Sequence, residues 1–448
     1  MKIKFLSVLA AGLLVQMNEV RAQETLTLQQ AIRYALENKV EAQKARLDVT
    51  NSQYQVDEVR SGALPQVSGS GTLTYNPMLQ KSALPGDLIG QPGTTVMVAF
   101  GQKWQSNATL TVNQQIFNQA LFTGLKAAST TREFYQINKD LTDEQLIEKV
   151  ANAYYQVFQS RLQEKTIETN LNNTEKNRQV IQGLVEAGLA KRIDLDRTTV
   201  QVNNLKTQLQ QARNTLEIQE NALKFAIGMD ITNEIVLPEE TFAIDASVLE
   251  TQSSNLNNRT EVRLLEKQAE LLELDKKATI ADYYPTLSFT GNLGYLGMGQ
   301  SFPIFSKDVG VNWSGFSGLG LNLSIPIFNG GRTRAQVNQK NVEILRAKAD
   351  LEDTKLALSM ANENARTQIK NSLLTISSSQ ANVQLAKEVL ENTQNNYRNG
   401  LATLTELLDA ENSYADAQTN YNTSLLNYKI AEVQLIKAKG ELKTLVNE

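Results

Sequence analysis

The sequence predicts an α+β membrane protein built from a duplicated module of helix, strand, strand, helix and helix. Three observations lead there: an internal repeat, stretches without Gly or Pro too long for a compact globule, and segments that alternate with the period of membrane-facing strands.

The repeat is direct. Leu64–Tyr75 (LPQVSGSGTLTY) returns 220 positions later as Tyr284–Tyr295 (YPTLSFTGNLGY), and Gly188–Ala190 returns 212 positions later as Gly400–Ala402. A period near 215 residues exceeds any solenoid repeat, so the unit is a duplicated module. Residues 23–228 form the first copy and 257–448 the second, with 229–256, including Leu237-Pro-Glu-Glu240, as an irregular polar linker. Ahead of them, residues 1–22 read as a secretory leader: Lys2 and Lys4, an apolar run from Phe5 to Val15, then small residues around Arg21. No Cys stands at its end to carry a lipid anchor. No later apolar stretch reaches the roughly 18 residues of a membrane helix, so insertion falls to strands.

Composition narrows the function. The 44 basic and 48 acidic residues leave no electrostatic case for nucleic-acid binding. Cys and His are both absent, which removes thiol nucleophiles, disulfides, imidazole bases and the usual zinc ligands. Neither a catalytic site, a metal site nor a cofactor site is expected.

Each copy opens with a helix, 27–62 in the first and 257–282 in the second. Strands follow at 65–76 and 104–117, and again at 285–296 and 315–328. In the first copy Ala108, Leu110, Val112 and, past Gln114, Ile116 alternate with Thr109, Thr111, Asn113 and Gln115. In the second, Leu319, Leu321, Leu323, Ile325 and Ile327 alternate with small or polar residues. Such strands turn one face to lipid and the other to water. Tyr75, Trp104, Tyr295 and Trp313 fall toward the loop ends, where an interfacial aromatic girdle sits. The intervening stretches, Pro77–Lys103 and Gly297–Asn312, read as exposed loops.

Helical hairpins close each copy, at 118–228 and 331–443. No Gly or Pro interrupts Gly124 to Gly183, Gly188 to Gly228, Gly331 to Gly400 or Gly400 to Gly440. At about 1.5 Å per residue the two longest helices reach roughly 90 to 100 Å. After Gly400, Leu407, Tyr414, Tyr421, Tyr428, Leu435 and Leu442 recur every seven residues, with Ala410, Ala417, Ser424, Ala431 and Ala438 three positions on. Leu195, Val202, Leu209, Leu216 and Leu223 keep the same register in the first copy. Sustained three-and-four spacing predicts coiled-coil packing, and the tyrosines read as seam residues rather than a binding site.

Four strands cannot close a barrel, and lipid does not tolerate open sheet edges, so several copies must share one barrel. Two, three or four copies would give eight, twelve or sixteen strands.

Three segments then resemble the TolC family of outer-membrane efflux proteins: Thr27–Asn38 (TLQQAIRYALEN), Pro326–Arg334 (PIFNGGRTR) and Tyr397–Ala410 (YRNGLATLTELLDA). The resemblance implies a homotrimer whose twelve strands form one outer-membrane barrel, continued by a periplasmic α-helical coiled-coil barrel. It further implies a passive exit duct served by a periplasmic adaptor and an inner-membrane pump, proton-driven or ATP-driven. The turns at Gly188 and Gly400 would form the periplasmic entrance. Asp194 and Tyr397 match its closing contacts, expected here as a charge-assisted hydrogen bond, and Glu406 and Asp409 match an acidic pore ring. Ala402 stands where the best-known relative carries an arginine, leaving Lys191 or Arg192 to supply a cation.

These residues also have plainer readings. Thr403 with Glu406 fits a capping box, and Asp194 suits a helix N-terminus through its dipole. Gly330-Gly331 permits a strand-to-helix bend, since no phosphate-loop Lys follows. The rival to a duct is a structural or adhesive coiled-coil envelope protein without an open channel. A further alternative, an outer-membrane enzyme using carboxylates, finds no His to work with.

Overall fold

The structure, a computed structural model, describes residues 25–90, 92–238, 244, 256–304 and 310–446. The leader and most of the linker lie outside the described residues. The chain divides into two units: Ala45–Asp140 with Asn257–Leu356 holds all the strands among the described residues, while Met1–Lys44, Leu141–Leu256 and Ala357–Glu448 hold both helical turns.

In the strand-bearing unit, β1 (Gln66–Tyr75), β4 (Trp104–Phe117), β5 (Thr286–Gly299) and β6 (Val311–Ser324) make one antiparallel sheet in the order β1-β4-β5-β6. Register decides its chemistry, because residues paired across strands share a face. One row runs Val67, Val112, Gly291, Leu319; another Leu73, Ser106, Gly297, Trp313; a third Tyr75, Trp104, Gly299, Val311. On the opposite face the rows run Ser68, Thr111, Asn292, Gly318 and Ser70, Thr109, Gly294, Phe316. One face is thus apolar and the other carries hydroxyls and amides. None of the four strands contains Asp, Glu, Lys or Arg.

The tyrosines and tryptophans of the sheet gather at one end of the apolar face: Tyr75 and Trp104 lie 4.5 Å apart between ring centroids, and Tyr295 stacks on Trp313 at 5.5 Å. On the polar face the Phe316 ring lies across Gly294, where an added Cβ would meet its Cζ at 2.2 Å. Gly294→Val is therefore expected to displace the ring and lower the yield of folded sheet, read as the heat-modifiable fraction on a gel. An unchanged fraction would show that the strands absorb the clash.

Four expectations need correction. The last strand ends at Ser324 rather than 328, and begins at Val311, because Pro326 has no N–H for the ladder; Ile325 and Ile327 lie outside it. Its partner β5 accordingly extends to Gly299. A register shift between Gln115 and Phe117 leaves Ile116 unpaired, and Phe117 takes the apolar-face place opposite Leu287. The stretch 77–103 is not a plain loop: β2 (Lys81–Pro85) and β3 (Thr95–Ala99) pair as a separate hairpin.

The remaining helices of this unit are α5 (Thr260–Ile280) and parts of α2 (Val40–Ser61), α3 (Gln119–Glu186) and α6 (Arg332–Arg398). Lys267 of α5 reaches Glu133 of α3 at 2.7 Å, and Lys340 of α6 reaches Asp275 of α5 at 2.8 Å. These exposed pairs set alignment more than stability.

In the other unit the predicted 27–62 helix is broken. Helix α1 (Leu28–Asn38) stops at Lys39, whose backbone is extended, with φ −69° and ψ 135°. Buried Lys39 turns inward and donates to the Phe225 carbonyl at 2.5 Å, which fixes the break. Beside it a core of Ile32, Ala35, Ile147, Tyr154, Leu223, Ile227 and Val433 joins α1, α3, α4 (Arg192–Ile227) and α7 (Leu404–Lys439). The linker's start belongs to this core: Leu237 is buried, and the Leu26 N–H donates to the Val236 carbonyl.

Seam packing follows the seven-residue pattern. Leu407, Tyr428 and Leu435 are almost wholly buried, Tyr414 and Tyr421 partly so, and Ala410, Ser424, Ala431 and Ala438 fill the small positions. Leu195, Val202, Leu209 and Leu223 are likewise buried on α4.

Candidate functional site

Each helical hairpin reverses through a glycine in the left-handed region, Gly188 with φ 76° and Gly400 with φ 70°. The residue after each donates back across the turn, Leu189 to the Leu184 carbonyl and Leu401 to the Asn396 carbonyl, closing a Schellman-type end. A Cβ is strained in that conformation, so the two glycines set where the helices stop. Beneath the turns Ile181, Leu195, Leu390, Leu404 and Leu407 pack together, so α3, α4, α6 and α7 share one small core.

Asp194 lies in the first turn of α4, half-buried, with Leu195 against the core. Its N–H donates to the Lys191 carbonyl. Tyr397 lies in the last turn of α6, partly buried against the same core. Burial and the Asp194 charge push the Tyr397 phenol above its usual value, so the two groups feel each other. Within one chain no hydrogen bond joins them. Of the candidate cations, Arg192 is engaged by Asp196 of its own helix at 3.3 Å, and Lys191 is the exposed N-cap of α4. Ala402 is half-buried in the second turn.

Glu406 carries out the capping-box role. The Thr403 N–H donates to its Oε2 at 2.7 Å and the Thr403 hydroxyl at 2.9 Å, while the Glu406 N–H donates to Thr403 Oγ1 at 3.3 Å. The backbone and side-chain bonds from Thr403 hold this exposed carboxyl below its ordinary value. Asp409 follows one turn later, also exposed. Capping and exposure coexist: the two carboxylates stand on one side of α7 and face water.

One residue that sequence reasoning passed over lies close by. Glu411 accepts from the Thr174 hydroxyl at 3.1 Å and from the Asn177 amide. Desolvation raises its carboxyl above the ordinary value, against the lowering effect of those two bonds. Its only sequence signal was a carboxylate directly beside the small seam residue Ala410.

An uncharged sheet with one lipid-suited face and two open edges, on a chain with long coiled-coil hairpins, fits an outer-membrane channel protein. The sequence profile described as outer membrane efflux protein matches residues 31–229 and 252–441, and the chain belongs to that family. Outer membrane protein TolC of Escherichia coli is 23% identical over 437 residues, covering 93% of this chain and 82% of the relative. The outer membrane efflux protein BepC of Brucella suis is 22% identical, covering 97% and 90%. Among solved structures, CusC aligns with a TM-score of 0.74 at 18% identity over 93% of this chain and 92% of its own. VceC of Vibrio cholerae gives 0.73 at 18%, over 92% and 96%. The protein is therefore an outer-membrane efflux channel protein.

Proposed function

We propose that three copies pair β6 of one with β1 of the next, closing a twelve-stranded barrel whose apolar face meets lipid. The hairpins continue it into the periplasm as a helical tube. The observation that carries this reading is the pair of unpaired edges at β1 and β6 on a charge-free sheet, which lipid does not tolerate open. The duct hydrolyses nothing; a periplasmic adaptor and a proton-driven or ATP-driven inner-membrane pump deliver its cargo.

The entrance is the pair of turns at Gly188 and Gly400. Asp194 and Tyr397 bias it toward closed, through a charge contact or a bond completed in the assembled channel, and Glu406 and Asp409 ring the opening. Tyr397→Phe combined with Asp194→Ala is expected to raise the open fraction about ten-fold in single-channel recordings from a planar bilayer. Conductance indistinguishable from the parent would remove these residues from the gate.

A further inference from the structure

Glu411 lies two residues beyond Asp409, about 200° round α7, and so points away from the exposed acidic pair. Its Oε2 accepts from Thr174 at 3.1 Å and its Oε1 from Asn177, residues one turn apart on α3. Thr174 is buried, 3% exposed. The next residue, Asn412, accepts from Gln201 of α4 at 3.1 Å. At a single level of α7, consecutive side chains therefore grip both helices of the first hairpin, whereas Asp194 and Tyr397 share no bond.

We propose that Glu411 latches the second hairpin to the first about two turns above the entrance, and that opening requires its carboxylate to leave Thr174 and Asn177. This rests on the reading of a duct gated at the hairpin turns. The chemistry suits a reversible tie. An anion held by two neutral donors makes strong hydrogen bonds, yet their rupture strands no buried cation, since among the described residues no Lys or Arg pairs with Glu411.

Single-channel recording tests it. Glu411→Ala and, separately, Asn177→Ala are expected to raise the open fraction about ten-fold, with Glu411→Gln intermediate because it keeps one acceptor. Asn177→Ala changes only the α3 side, so it serves should Glu411→Ala fail to assemble. Because the chain has no Cys, Asn177→Cys with Glu411→Cys offers a single possible disulfide. Oxidation should hold the channel at its closed level, and a reductant should restore it. An unchanged open fraction in both alanine variants, beside a raised one in Tyr397→Phe with Asp194→Ala, overturns the latch alone. If neither set moves it, gating at the turns falls and the latch falls with it.

Discussion

Replacing Glu406 and Asp409 together by amides is expected to cut the cation-over-anion permeability ratio by about an order of magnitude. In the proposed trimer these residues place up to six carboxylates around a narrow opening, where low-dielectric walls focus their field. The sheet offers little to compensate, because its polar face carries only hydroxyls, amides, glycines and a few apolar groups. Block by multivalent cations should weaken in parallel. The Thr403 hydrogen bonds that hold Glu406 below the ordinary carboxylate value keep it ionised as pH falls into that range. Cation preference should therefore persist through mild acidification and fade only at lower pH. A reversal potential unmoved by the double substitution would show that these carboxylates lie off the constriction.

Tyr428→Ala is expected to be the most destabilising single change in the coiled coil. The side chain is fully buried among Ile369, Leu425, Ala431 and Leu435, and its hydroxyl donates to Glu432 at 3.3 Å. Removing an aromatic ring of this size leaves a cavity in the packed seam, at a cost of about 3–5 kcal/mol. Chemical denaturation in detergent should register it as a lowered midpoint. A loss under about 1 kcal/mol would mean the helices close over the space.

Much of this architecture was legible in the sequence where one physical period dominated. Large and small residues alternate along α7 at seven-residue spacing, and the structure buries that stripe. The strands were legible from two-residue alternation, since each face meets one solvent. Reading failed where a single residue overrode the period. Lys39 carries no helix-breaking signal, yet its ammonium finds the Phe225 carbonyl and splits the first helix. Ile116 continues the apolar alternation but falls in a register shift. The hairpin β2–β3 was hidden by the Pro and Gly around it.

The turns divide in the same way. Gly188 and Gly400 announced the helix ends, and Thr403 with Glu406 announced a cap, because both are local chemistry. Proximity of Asp194 to Tyr397 came from resemblance to a family, since no local pattern links residues on different helices. Glu411 was missed for the same reason: its partners Thr174 and Asn177 lie more than two hundred residues earlier, and only the packed hairpins bring them together.

Closure of the sheet between copies is tested most directly by cross-linking its two edges. Ser70→Cys on β1, combined in turn with Gly318→Cys, Gly320→Cys or Asn322→Cys on β6, places one thiol on each edge of a chain that has no other. Oxidation in outer membranes is expected, for at least one pairing, to give a covalent series that stops at three chains on a denaturing gel. Monomers at every pairing, or a series ending at another number, would contradict a barrel shared by three copies.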